Sequence, residues 1–306
     1  MTCGAVPRFH GGMLLRQCPQ GTWETALALP HPALRSSVRH YRGFRIATDH
    51  PRSRREVPHG EVTLVLGFTG ELRIWSPDRG PAEPTRHCSL LTGLRTDTVI
   101  GRHDGRVSGV EIVMSPWAAF TMFGVDMHEL AFTHTDPFAL PGRSLRPLVD
   151  ALAETPGWAA RFALLDRELT HRLVAGGGCA PQALRAWRLL LGSGGTTPVS
   201  VLAAEVGWSR RRLSDAFKEQ LGLTPKALGR VVRLQHSLRL LTSGVAPARV
   251  AAECGFYDQP HLAQEFQRMV GCTPGDFLVA RRAASTGPPV EDRSRGKVTS
   301  VLAGAL

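Results

Sequence analysis

A chain of 306 residues, 42% of them hydrophobic, is long enough for about two domains with proper cores. It contains no unbroken apolar run of roughly 18 residues, which argues against a membrane-spanning helix. The formal net charge is +11 and unevenly placed: residues 181–283 carry 14 Lys/Arg against 7 Asp/Glu, whereas residues 1–180 carry 20 against 17. That concentration is the electrostatic footprint of a protein that binds a polyanion.

Residues 1–30 show no clear period and read as a poorly ordered lead-in. Ala26–Leu29 is too short to be the apolar segment of a secretory signal, so the expected location is cytoplasmic. Residues 31–138 read as a β-rich sensor or dimerisation domain, with strand-like runs at Val38–Ile46, Glu61–Phe68, Glu71–Trp75, His87–Leu94 and Thr98–Met114. Turn signals separate them at Pro51-Arg52-Ser53, Thr69-Gly70, Pro77–Pro84 and His103-Asp104-Gly105. Short strands without intervening helices predict a sandwich or small barrel of cupin-like form, part of an α+β domain. Leu64, Leu66, Phe68, Ile74 and Trp75 are its expected interior, where a small-molecule pocket would lie. Ser115-Pro116 opens a helix through Phe123, and a short helix follows at Met127–Leu130. Residues 139–180 read as a helical connector, with helices at Leu145–Leu152 and Trp158–Val174 before Gly176-Gly177-Gly178. Helix Pro181–Leu191 begins an all-α domain over 181–283, and residues 284–306 read as a disordered tail.

Within residues 181–283 the chain repeats itself. Leu202-Ala203-Ala204-Glu205-Val206-Gly207-Trp208 returns 48 residues later as Val250-Ala251-Ala252-Glu253-Cys254-Gly255-Phe256. Leu213, Phe217, Gly222, Thr224 and Pro225 return at an offset of 49 as Leu262, Phe266, Gly271, Thr273 and Pro274. In the first copy Thr197-Pro198 opens a helix running to about Val206, and Gly207 turns the chain. Ser209 then caps a helix from Arg210 to about Leu221. Its buried face holds Leu213, Ala216, Phe217 and Leu221; Arg211, Ser214, Asp215 and Lys218 face outward. The second copy repeats the plan, with Gly255 turning, Asp258 capping, Pro260 in the first turn, and Leu262, Phe266 and Met269 inward. Thr224-Pro225 and Thr273-Pro274 restart a helix after each copy. Each unit has the form of a helix-turn-helix, whose second helix enters the major groove. A single glycine-broken helix pair is common; two in this order, with charge to match, are not.

These residues resemble the DNA-binding domain of the AraC/XylS family of transcription regulators. The resemblance rests on Ala-Ala-Glu-x-Gly-Trp/Phe opening each module, on the linking helix, and on the closing Gly-Phe-Tyr-Asp-Gln-x-His-Leu-x-x-x-Phe-x-x-x-x-Gly-x-Thr-Pro; it covers roughly Pro181 to Arg282. It implies two helix-turn-helix modules reading successive major grooves. The implied DNA contacts are Ser209, Arg210, Arg211, Arg212, Ser214, Asp215 and Lys218 in the first module. In the second they are Asp258, Gln259, Pro260, His261, Gln264 and Arg268. The base-facing set among them is Arg211, Ser214, Asp215, Gln259, Pro260 and Gln264. Asp215 and Gln264 stand where many relatives carry a basic residue; Asp215 can accept from cytosine N4 but cannot bond a guanine edge. The β-rich half is similar to the barrel domain that many such regulators place first, which implies effector binding, dimerisation or both.

Signals for catalysis are absent. Cys3, Cys18, Cys88, Cys179, Cys254 and Cys272 are scattered without a Cys-x-x-Cys pair, against a disulfide framework or zinc site. His50, His59, His87, His103, His128 and His134 raise the question of a metal, yet no His-x-His occurs and only His59-Gly60-Glu61 comes near a cupin motif. Neither Gly-x-Ser-x-Gly nor a phosphate-cradling glycine loop is present. The reading is a sequence-specific DNA-binding transcription regulator, not an enzyme, without cofactor or metal. Its partners are a double-stranded DNA operator, with RNA polymerase, a small-molecule effector and a second copy of the chain as further candidates, and no membrane. The competing readings are a DNA-targeted enzyme of the alkyl-DNA repair type and a nucleoid binder without sequence preference.

Overall fold

The structure, a computed structural model, describes residues 6–10, 13–77, 83–142, 144–282 and 298–302. Among these, β1 (Val6–His10), β2 (Met13–Gln17), β3 (Trp23–Ala28), β4 (Val38–Ala47), β6 (Val62–Thr69), β9 (Leu90–Thr92), β11 (Arg106–Met114) and β12 (His134–Thr135) form one antiparallel sheet, in the order β1-β2-β3-β4-β11-β6-β9-β12. A smaller sheet runs β13-β5-β10-β7-β8, from β5 (Arg52–Glu56), β7 (Leu72–Trp75), β8 (Thr85–His87), β10 (Val99–His103) and β13 (Ser300–Leu302). The N-terminal domain is therefore a β-sandwich flanked by helices, an α+β arrangement, followed by an all-α domain.

The large sheet has two buried faces, and side-chain alternation assigns them. On β4 and β6, Tyr41, Leu64 and Leu66 point to the helical side, where Tyr41 stacks on Phe162 at 5.6 Å and donates its hydroxyl to Asp166 Oδ1 at 2.9 Å. Arg42, Phe44, Thr63 and Val65 point the other way, into the space between the sheets. Gly43 is required by the helical side: a Cβ there would come within 2.2 Å of the Trp158 ring. Of the five residues expected to form the interior, only Ile74 faces the inter-sheet space; Leu64 and Leu66 lie on the opposite face, and Phe68 sits under the Arg161 guanidinium at 5.0 Å.

Three further expectations need correction. The lead-in at residues 1–30 contains β1, β2 and β3, with Trp23 only 1% exposed; residues 1–5, 11 and 12 lie outside the described residues. Pro51-Arg52-Ser53 is not simply a turn, since Arg52 starts β5. In the 284–306 tail, Ser300–Leu302 forms β13 and pairs with β5; residues 284–297 and 303–306 lie outside the described residues. Cys18 is disulfide-bonded, while Cys88, Cys179, Cys254 and Cys272 are free thiols.

Helices α1 (Pro116–Phe123) and α2 (Met127–Leu130) follow β11, then α3 (Arg146–Glu154) and α4 (Trp158–Ala175). The all-α domain comprises α5 (Pro181–Gly192), α6 (Val199–Glu205), α7 (Arg210–Leu221), α8 (Pro225–Thr242), α9 (Pro247–Glu253), α10 (Gln259–Val270) and α11 (Pro274–Arg282). Both domains share a continuous apolar core: α1 and α2 pack on α7, and buried Met127 and Leu130 join the same cluster as Phe217 and Leu221.

Candidate nucleic-acid interface

Each module is assembled by local rules. In the first, α6 starts at Val199, one residue later than expected, with Pro198 rather than Thr197 at the N-cap and no side-chain cap bond. Gly207 takes φ +68° and Gly255 φ +69°, the left-handed conformation that lets each chain turn between its two helices without a Cβ penalty. Ser209 Oγ accepts from the Arg212 amide at 3.2 Å, and Asp258 Oδ1 accepts from the His261 amide at 2.7 Å, so α7 and α10 begin on equivalent caps. Leu213, Ala216, Phe217 and Leu221 are buried on α7; Leu262, Phe266, Met269 and Val270 are buried on α10.

The polar sides of α7 and α10 face solvent. Ser209, Arg210, Arg211, Arg212 and Asp215 are exposed, and Ser214 and Lys218 are half-buried. In the second module Asp258, Gln259, Pro260, Gln264 and Arg268 are exposed and His261 is half-buried. Their surroundings differ in ways that matter for recognition. Arg211 is 93% exposed and reaches Asp215 only at 3.9 Å. Arg212 lies over the Trp208 ring at 4.6 Å, which fixes its guanidinium beside the turn. His261 accepts from the Tyr257 amide through Nδ1 at 3.1 Å and meets the Phe256 ring edge-on at 5.5 Å, so it shapes the turn as well as bordering the surface. Arg268 pairs with Glu265 at 2.5 Å, and Glu265 also takes the Arg230 Nε at 2.8 Å. Through Glu265 the linking helix α8 therefore holds α10 in place.

Sequence reasoning passed over Tyr257, which is 93% exposed beside the cap of α10. The signal was an aromatic directly after buried Phe256, where one apolar residue suffices for the core. Burial pushes the thiols of Cys179, Cys254 and Cys272 up to about 11, so these three are protonated packing residues at neutral pH. Among the described residues no group of three or more His, Cys, Asp or Glu is placed to hold a metal ion, and no helix is long and apolar enough to cross a membrane.

A family model described as a helix-turn-helix domain matches residues 202–280. Over 61 residues (20% of this chain, 22% of the relative) the chain is 36% identical to an uncharacterized HTH-type transcriptional regulator, YbfI, of Bacillus subtilis. It is 33% identical over 86 residues to the HTH-type transcriptional activator RhaR of Klebsiella pneumoniae (26% of this chain, 28% of the relative). To the HTH-type transcriptional regulator MtrA of Neisseria gonorrhoeae it is 31% identical over 80 residues (26% and 27%). The chain thus spans about a quarter of the length of the curated relatives it matches. Among solved structures, an AraC-type regulator from Chromobacterium violaceum is similar over 34% of this chain and 96% of its own, at 25% identity and a TM-score of 0.32. ToxT from Vibrio cholerae is similar over 75% of this chain and 96% of its own, at 9% identity and a TM-score of 0.44. With the repeat, the paired caps and turns and the family match falling on the same residues, the C-terminal part of this chain carries a helix-turn-helix domain.

Proposed function

We propose that the chain is a sequence-specific DNA-binding transcription regulator in which α7 and α10 read successive major grooves and the N-terminal domain modulates the activity. The observation that carries this reading is the duplication: two modules with equivalent side-chain caps, the same left-handed turn, four buried side chains on each second helix and an outward polar face. The linking helix α8, 18 residues long, spans about 27 Å at 1.5 Å per residue. With a helix radius at each end this approaches the ~34 Å between successive major grooves. The contacts inferred are Ser209, Arg210, Arg211, Arg212, Ser214, Asp215 and Lys218 from α7 and its cap, and Asp258, Gln259, Pro260, His261, Gln264 and Arg268 from α10 and its cap. The domain's excess of Lys/Arg supplies the sequence-independent attraction to phosphate.

A regulator of this kind would act from the bacterial cytoplasm on an operator, with RNA polymerase and a second copy of the chain as further partners and no catalytic step of its own. Genome-wide footprinting of the full-length protein tests the reading. Discrete sites with two protected grooves about one turn apart are expected, surviving an excess of random competitor DNA. Moving the two half-sites half a turn out of phase should reduce affinity to that of one module. Uniform coverage, competed equally by random DNA, would replace this function with that of a nucleoid binder.

A further inference from the structure

The space between the two sheets encloses a cavity of about 120 Å³ that belongs to neither helix-turn-helix module. Much of its wall is apolar: Phe44, Val65, Leu72, Ile74, Val99 and Val107. One end is cationic. Arg42, Arg52 and Arg54 converge there with His103, which register places opposite Arg52 across β5 and β10. Arg42 is answered: its Nη2 donates to Glu111 Oε2 at 2.8 Å. Arg95, farther round the wall, is answered by Asp97 at 2.9 Å, and Glu61 by Arg39 at 3.3 Å. Arg52 is not answered. All its guanidinium nitrogens are shielded from solvent and none has a hydrogen-bond partner among the described residues. Burial, reinforced by repulsion from Arg42, lowers its pKa to about 10.

A buried guanidinium with five idle donors is among the costliest groups a fold can carry, unless something outside the chain completes it. We propose that this cavity binds a small monocarboxylic acid, its carboxylate forked onto Arg52 and its apolar body lying against Phe44, Val65 and Ile74. A planar carboxylate matches the guanidinium fork. A dianion such as phosphate fits less well, because Glu111 and Glu61 share the wall. The ligand class deepens the effector reading given above and rests on it only for its consequence at DNA; the binding itself stands without it.

The full-length protein is titrated with hexanoate and cyclohexanecarboxylate, with their uncharged amides and with inorganic phosphate, followed by calorimetry and thermal melting. The acids are expected to bind at least about tenfold more tightly than the amides and phosphate, and to raise the melting temperature. Arg52→Met should lose at least about tenfold in acid affinity while melting higher than the parent when ligand-free. Arg102→Met, an exposed guanidinium on β10, should leave acid binding unchanged. Should Arg52→Met fail to fold, Arg52→Lys, which keeps the charge and loses the fork, is expected to bind the acids more weakly than the parent. Equal binding of acid and amide, a preference for phosphate, no binding of any probe, or acid binding that survives undiminished in Arg52→Met would each overturn the proposal. Gel-shift binding by the ligand-free parent is measured in parallel: its failure would sink the regulator reading and leave the acid-binding result standing.

Discussion

Arg211 and Arg212 are adjacent arginines in the first turn of α7, yet they are held very differently. The Arg211 fork is tethered only to exposed Asp215 at 3.9 Å, while Arg212 is stacked on Trp208. We propose that the first turns toward a guanine edge and that the second meets the DNA backbone. Arg211→Ala is therefore expected to cost about 1–3 kcal/mol in operator binding, concentrated at one base pair. Arg212→Ala should weaken binding to all sequences alike and lower the salt slope by about one. A binding series over single-base operator variants at several salt concentrations separates the two, and a uniform loss for Arg211→Ala would assign it to phosphate. Histidines of the cavity wall set a different expectation. Burial, with the neighbouring Arg54 and Arg52, lowers His103 to about 4; burial, with Arg95, lowers His134 to about 3. Each ring also accepts a hydrogen bond, His103 Nδ1 from the Gly105 amide at 3.1 Å and His134 Nε2 from Arg95 Nη1 at 3.1 Å. Their native pKa values lie below the unfolded value of about 6.5, so the unfolded chain binds more protons between the two. Stability is full above that value and is lost as pH falls through it toward the native values. Between pH 7 and pH 5 each histidine should remove about 1–2 kcal/mol, read from denaturant melts, and His103→Gln should flatten the slope. A pH-independent midpoint over this range would refute it.

Elements differ in how plainly the sequence announces them, and the difference has a physical cause. Helices α7 and α10 are built from contacts three and four residues apart, with a cap at one end and a left-handed glycine before it, so a local reading finds their boundaries. Strand β5 has no such signature. Arg52-Ser53-Arg54-Arg55-Glu56 alternates charged residues toward the cavity with polar and charged ones away from it, and no apolar period marks it. Its first two residues, Arg52 and Ser53, therefore read as part of a turn, and Arg54-Arg55-Glu56 carries no strand signal. β6 fails in the opposite way: Val62-Thr63-Leu64-Val65-Leu66 is buried on both faces, so nothing in the string says which face looks into the cavity. In the helical domain, the exposed positions of both recognition helices were legible, whereas the clamp on α10 was not, because Glu265 joins Arg230 from 35 residues away. That clamp has a testable cost. Glu265→Ala strands two guanidinium groups, one of them only 25% exposed, and is expected to cost about 1–2 kcal/mol of stability and to loosen DNA binding by the second module. Glu205→Ala, which removes a partner from the exposed Arg185 pair, should change stability by less than about 0.5 kcal/mol. Equal effects in chemical denaturation would show that Glu265 is no clamp.

Across the whole molecule, the β-sandwich and the DNA-binding domain are joined by specific polar contacts as well as by the apolar seam of α1 and α2 on α7. On β5, Arg52 and Arg54 look into the cavity while Arg55 looks out, and Arg55 Nη1 donates to the carbonyl of Val270, the last residue of α10. One strand thus touches the candidate ligand site with one face and the second recognition helix with the other. Nearby, Gln235 of the linking helix is 4% exposed and has its amide fully used: Nε2 donates to the carbonyls of Pro58 and Val298, both at 2.7 Å, and Oε1 accepts from the Val298 amide at 3.0 Å. Gln235 therefore ties three segments together: α8, the loop after β5, and the residues leading into β13. Gln235→Leu keeps the volume but leaves two carbonyls and one N–H buried without a partner. An unmade buried hydrogen bond costs about 1–3 kcal/mol, and partial relaxation toward solvent at the seam keeps the expected total near 2–4 kcal/mol. Because the loss falls between the domains and not within either core, cooperativity should suffer more than either domain's own stability. Calorimetry of the full chain is expected to change from one transition to two, with the helical domain still able to bind DNA in a gel-shift assay. One unchanged transition in the variant would mean that the apolar seam alone couples the two domains, and that Gln235 has no part in carrying a signal from the sandwich to the DNA.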